Sequence, residues 1–220
     1  MTDFEDSWLS LDPLPTDPMA ILARWLDEAF AAGGQANPHA IALATGSPDG
    51  RPAVRMVLCK AVEAEEGNLV FYTDHQSRKG LALAALPYAS ACFHFAPQNR
   101  QACLSGPVEP TSDEESDAYF ASRPVESQVG AWASAQSQPL GSRDELVQRV
   151  AAVAARHGVP ERGSEPSDRV PRPPNWGGYR LRAQRVELWH SRPGRIHDRA
   201  EWQRTLEPAA GPWAAQRLQP

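Results

Sequence analysis

The chain has 220 residues and a formal net charge of −5, long enough for one core-bearing domain with appendages and without the broad basic face that nucleic acid requires. Its 41% hydrophobic and 22% charged residues are those of an ordinary soluble globular protein, and no apolar run approaches bilayer-spanning length. The acidic start (Met1 to Asp6) is unlike a signal peptide. Three scattered cysteines (Cys59, Cys92, Cys103) without metal-ligand spacing read as reduced core thiols in a cytoplasmic protein, with no metal site.

Residues 1–16 are polar and contain proline, which predicts a mobile arm, with one domain over 17–220. Asp17-Pro18 is a helix cap followed by proline at the first helical position. Ile21, Leu22, Trp25, Leu26 and Phe30 recur at helical spacing to about Ala32, and Gly33-Gly34 ends that helix. A β region follows. His39 to Thr45 alternates, Ser47-Pro48-Asp49-Gly50 turns, and Ala53 to Val62 and Asn68 to Thr73 return as strands.

Ser77 then caps a short helix ending at Pro87, so Arg78 and Lys79 fall in the first turn, where acidic side chains are usual. A phosphate bound between those cations and the free backbone N–H groups resolves the conflict. Two solvated surface cations are the competing reading. Ala89 to Phe95 and Gln101 to Val108 form two more strands around a Pro97-Gln98-Asn99 turn. This hairpin-rich order predicts a largely antiparallel barrel, mainly β with flanking helices.

Residues 111–157 turn helical, with a start at Ser112-Asp113-Glu114-Glu115 and an alanine-rich helix from Arg143 to His157 that stops at Gly158. Residues 159–175 carry five prolines and mixed charges, which reads as an exposed loop or linker. Strands return at Gly178 to Trp189 and at Arg195 to Arg199, where period-two alternation puts Arg195, His197 and Arg199 on one face. Such a cluster implies an anionic partner, or a charged edge strand.

Taken together, Arg55-Met56-Val57-Leu58-Cys59-Lys60, Phe71-Tyr72-Thr73, Ser77-Arg78-Lys79, Asn99-Arg100-Gln101, Tyr119 to Pro124, Ser127 to Ala131, Gln136-Ser137, Trp176 to Tyr179, Glu187-Leu188-Trp189 and Arg195 to Arg199 closely resemble the pyridoxamine 5′-phosphate oxidase family. The resemblance implies an FMN-binding split β-barrel, homodimeric, with FMN at the subunit interface. By motif match, Arg55, Lys60, Tyr72, Thr73, Arg78, Lys79 and Gln101 contact FMN from one subunit, and Gln136, Ser137, Trp189 and Arg199 from the other. Lys60, Tyr119, Arg123, Ser127, Arg195 and His197 match the positions that bind a phosphorylated B6 vitamer. Arg195 and His197 are the implied catalytic pair, and the implied chemistry is hydride transfer to flavin N5 with O2 reoxidation to hydrogen peroxide.

Without the resemblance, Tyr119 and Trp189 read as packing residues, and Gln101, Gln136 and Ser137 carry little signal. Arg55 and Lys60, five apart on a strand, face opposite sides unless a bulge or an interfacial position intervenes. Phe95, Cys59, Ala102 to Ser105 and Gln219 depart from the usual family pattern. Two rivals follow: an FMN oxidase of the phenazine-biosynthesis type, or a non-catalytic flavin or pyridoxal phosphate binder. The Lys60, Arg123, Ser127, Arg195 and His197 set argues against the first, because a phenazine precursor offers no phosphate.

Overall fold

A computed structural model describes residues 8–220. Nine antiparallel strands and five α-helices form, in the order α1 (Pro18–Ala32), β1 (Ala40–Gly46), β2 (Pro52–Glu63), β3 (Asn68–Asp74), α2 (Arg78–Ala85), β4 (Tyr88–Phe95), β5 (Arg100–Pro110), α3 (Asp113–Ala121), α4 (Val125–Ala133), α5 (Arg143–His157), β6 (Trp176–Arg182), β7 (Arg185–His190), β8 (Asp198–Gln203) and β9 (Ala214–Arg217). The strands are ordered β4-β1-β2-β3-β6-β5-β7-β8-β9, and β4 pairs again with β5, which closes a six-stranded barrel. The architecture is mainly β with flanking helices, as the sequence predicts. No helix among the described residues is long and apolar enough to cross a membrane.

The chain divides into two compact units. The first contains the chain up to Phe71, Leu86–Glu109 and Arg180–Pro220; the second contains Tyr72–Ala85 and Pro110–Tyr179. In the first unit, strict alternation on β1, β4 and β5 turns Ile41, Leu43, Ala91, Phe93, Phe95, Ala102 and Leu104 inward, all buried. Asp17 caps α1 by accepting from the Met19 N–H. The described part of the segment expected as an arm makes contacts with the rest of the chain. Leu9 is fully buried, its carbonyl accepts from Arg217, and Pro15 O accepts from Trp202 Nε1 at 2.8 Å. Residues 1–7 lie outside the described residues.

In the second unit, Phe120, Val125, Val129, Ala154, Val170 and Trp176 make one core. A complete capping box at Ser112 and Glu115 starts α3, and Ser142 with left-handed Gly158 bounds α5. The proline-rich 159–175 segment is a loop, mostly exposed, that is anchored at a few points. Val170 is buried, Glu165 O accepts from Val125 N, Pro171 O accepts from Trp132 Nε1, and Arg172 bonds Asp113 and Asp117.

Gly178 to Trp189 holds two strands, β6 and β7, separated by Ala183-Gln184. One strand reading needs correction. Arg195 is not on a strand. Pro193-Gly194 bends the chain into a 3-10 turn, Arg195 takes φ 61°, and β8 begins at Asp198. The three-residue cationic face therefore does not exist as an alternating strand face, and only Arg199 of the three lies on β8.

Candidate active site

In the second unit, the start of α2 is built around a buried lysine. Lys79 is 8% exposed, and its Nζ donates to Thr73 Oγ1 at 2.7 Å, Ser77 Oγ at 3.1 Å and Gln136 Oε1 at 2.8 Å. A side chain so held is not a solvated surface cation, so that competing reading fails for Lys79. Arg78, its neighbour, is exposed. Ser77 sits at the cap position, its Oγ donating to Asp74 O at 2.6 Å and accepting from Gly80 N at 3.4 Å. The helix start is pressed against the preceding turn so closely that a Cβ on Gly80 would lie 2.2 Å from the His75 carbonyl oxygen.

Asp74, which no sequence signal singled out, organises that turn. Its carboxylate accepts from Gln76 N at 2.6 Å and from Asn175 Nδ2 at 2.8 Å. Gln136 and Thr73 are also hydrogen-bonded to each other, at 3.0 Å. The contacts of Gln136 are thus with Lys79 and Thr73 of its own chain. Ser137 follows with φ 72°, a left-handed conformation costly for a residue with a side chain and concentrated at functional sites.

A second cluster in this unit is aromatic. Tyr72 stacks on Tyr119 at 4.0 Å and on Trp176 at 5.4 Å, with interplanar angles of 19° and 10°. Phe120 meets Trp176 edge-on. Arg123 lies 4.6 Å over the Trp176 ring and 5.3 Å over Phe120, and its buried Nη1 has no hydrogen-bond partner. Tyr119, Arg123 and Ser127 are spaced by four, from the end of α3 to the first turn of α4. Burial lowers the Arg123 pKa and raises that of the Tyr119 phenol. Gln128 braces the end of α3, donating to Phe120 O at 3.1 Å.

The first unit holds the remaining candidates. Gln101, Trp189 and Arg199 line one cavity of ≈ 290 Å³ together with Glu187 and Pro220. Arg199 is held by Glu187, Nε to Oε1 at 2.8 Å and Nη2 to Oε2 at 3.1 Å, and this pairing raises its pKa. The His197 ring lies 4.7 Å from that of Trp189, and its Nδ1 accepts from Arg192 N at 3.0 Å, which leaves Nε2 to carry the proton of the neutral ring. Arg195 is exposed and held in the left-handed conformation described above.

Arg55 and Lys60 do not share surroundings. Arg55 Nη1 donates to Leu43 O at 3.0 Å and to Thr45 Oγ1 at 2.9 Å, and burial lowers its pKa. Lys60 lines a cavity of ≈ 310 Å³ with Leu26, Phe30 and His39. The β2–β3 register does shift between Cys59 and Ala61, so a bulge falls on Lys60 itself.

The buried cation and hydroxyls beside the α2 start have the donor chemistry that holds a phosphate group. Comparison with known proteins shows the family. A family model described as pyridoxamine 5′-phosphate oxidase matches residues 26–157, and one described as the pyridoxine 5′-phosphate oxidase C-terminal dimerisation region matches residues 176–220. The pyridoxine/pyridoxamine 5′-phosphate oxidase of Rhodospirillum rubrum is 50% identical over 186 residues, covering 83% of this chain and 88% of that protein. Its counterpart from Rhodopseudomonas palustris is 47% identical over 204 residues, covering 93% and 90%. Among solved structures, PhzG of Burkholderia lata, in complex with tetrahydrophenazine-1-carboxylic acid, superposes with a TM-score of 0.83 at 31% identity, covering 95% of each chain. The chain belongs to the pyridoxamine 5′-phosphate oxidase family.

Proposed function

We propose that this protein oxidises pyridoxamine 5′-phosphate, pyridoxine 5′-phosphate or both to pyridoxal 5′-phosphate, with FMN as cofactor. The observation that carries this reading is Arg123. A buried guanidinium with an unpartnered Nη1, stacked on Trp176, is costly unless a ligand anion completes it. Phosphate is the matching anion, and Tyr119 and Ser127 supply hydroxyls at the same four-residue spacing. Lys60 adds a further cation for it.

Thr73, Lys79 and Gln136, with Arg78 and Ser137, would hold the FMN phosphate; Arg55, Lys60 and Tyr72 join them as flavin contacts. Gln101, Trp189 and Arg199 would hold the ring system. When bound, the flavin would supply a hydride acceptor at N5 for the substrate's 4′ carbon, with O2 as the final oxidant and hydrogen peroxide as its product. Arg195 and His197 would orient the substrate ring, with His197 assisting proton movement from the amine or hydroxyl. Val54, Met56 and Leu58 alternate as exposed apolar side chains on β2, which supports a homodimer. Three free thiols suit the cytoplasm.

The likeness to PhzG supports a second reading, oxidation of a reduced phenazine carboxylate, a substrate that would offer Arg123 no phosphate. Anaerobic titration of the flavin-loaded protein separates the two. Bleaching of the flavin band with formation of pyridoxal phosphate is the expected result. A band that ignores both B6 vitamers but bleaches with a dihydrophenazine carboxylate overturns it.

A further inference from the structure

We propose that Cys92 and Cys103 form a peroxide-responsive dithiol that closes reversibly into a disulfide across the β4–β5 hairpin. The two residues are direct partners in the β4–β5 register. Val108 N donates to Pro87 O at 2.9 Å, which makes 87 and 108 a hydrogen-bonded pair. Alternation over the five steps to Cys92 then makes 92 and 103 a non-hydrogen-bonded pair, in which Cα atoms approach to ~4.5 Å. That separation lies inside the range a disulfide spans. Both side chains project from the outer face of the barrel and are half-buried, so a small oxidant reaches them.

Cys92 Sγ donates to Phe93 O at 3.5 Å, and the neighbouring Cys103 lowers the Cys92 pKa while Cys92 raises that of Cys103. Cys103 is held in turn by Gln101 Nε2, 3.4 Å from its sulfur. Cys59, by contrast, is buried in the barrel wall with its pKa pushed up to about 12. One cysteine of the three is therefore inert and two are paired.

The chemistry balances with hydrogen peroxide as oxidant. The Cys92 thiolate attacks one peroxide oxygen; the O–O bond breaks, giving Cys92 sulfenic acid and hydroxide, which takes up a proton as water. The Cys103 sulfur then attacks Cys92; the S–O bond breaks, the S–S bond forms, and a second water leaves. Cross-strand Cβ atoms normally stand slightly wider than a disulfide prefers, so closure strains the hairpin and the bond reopens with a dithiol reductant. The inference does not depend on the proposed vitamer oxidation, although that reaction would release the same oxidant.

The test uses the flavin-loaded protein, reduced, freed of reductant and treated with hydrogen peroxide. Alkylation under denaturing conditions is followed by intact mass and tryptic mapping, and Arg100 places the two cysteines on separate peptides. The expected result is joint loss of two alkylatable thiols, a linked Cys92–Cys103 peptide pair, and recovery with dithiothreitol. Cys103→Ser should stop at a dimedone-reactive Cys92. Three thiols still alkylatable after peroxide, Cys92 sulfinic acid with Cys103 free, or a disulfide joining two copies would each overturn the proposal.

Discussion

Lys79 Nζ donates to Gln136 Oε1 at 2.8 Å, joining residues 57 apart in sequence into one polar cluster. The lysine is shielded from water, so its charge acts at close to full strength on an anion beside Thr73 and Ser77. Lys79→Gln keeps the length and polarity and removes the charge. Losing one charge-assisted hydrogen bond is worth about 1.5–3 kcal/mol, or about 10- to 150-fold in affinity. FMN affinity, read from flavin fluorescence quenching, should weaken by that factor while the thermal midpoint of the flavin-free protein changes little. Unchanged FMN affinity would remove Lys79 from the phosphate site.

Arg123 makes a different demand. Arg123→Lys retains a cation but loses the planar stack on Trp176 and the fork that grips phosphate. The expected outcome is a KM for pyridoxamine 5′-phosphate raised about 10-fold or more, with the flavin spectrum and FMN affinity intact. A fall in kcat at constant KM would show instead that the residue acts on the reacting centre.

Some of this was legible from local chemistry. Ser77, Ser112, Ser142 and Gly158 announce helix ends because capping is satisfied within a turn, and the barrel's inward face follows from period-two alternation. The bulge at Lys60 depends on how β2 meets β3, and the Cys92–Cys103 pairing on how β4 meets β5; neither is a local property. The left-handed φ of Ser137 and Arg195 carries no compositional signal, since neither is glycine or asparagine. Arg195 to Arg199 alternates as a strand would, yet Pro193-Gly194 overrides the alternation. Asp74 escaped notice because its work is done on backbone N–H groups and Asn175, distant in sequence.

Gly80→Ala sets propensity against packing. In an exposed helix alanine gains about 1 kcal/mol over glycine. Here the added Cβ meets the His75 carbonyl at 2.2 Å, a backbone atom that cannot swing aside. Destabilisation by about 2–4 kcal/mol is expected, with FMN affinity lost alongside because the α2 start must move. Urea unfolding measures the first and fluorescence titration the second. A more stable variant would mean the turn gives way freely.

His190 sets an acid limit on the first unit. Its ring lies against Trp25, burial is the main cause of its depressed pKa, and Arg192 and Arg100 add repulsion, bringing it to about 4. The unfolded chain protonates this imidazole near 6.5, so between 6.5 and 4 it binds a proton that the folded state refuses. Stability is therefore full above the unfolded pKa and falls as pH drops, by at most about 3 kcal/mol. The Glu28 and Glu63 carboxylates, held below their usual range by arginine partners, lose their contribution only below about 4.5, a separate window. Between about pH 7 and about pH 5 the wild type should lose about 2 kcal/mol more than His190→Gln, read as the shift in urea midpoint. Equal losses in the two proteins would mean that His190 is protonated in the folded state as readily as in the unfolded chain.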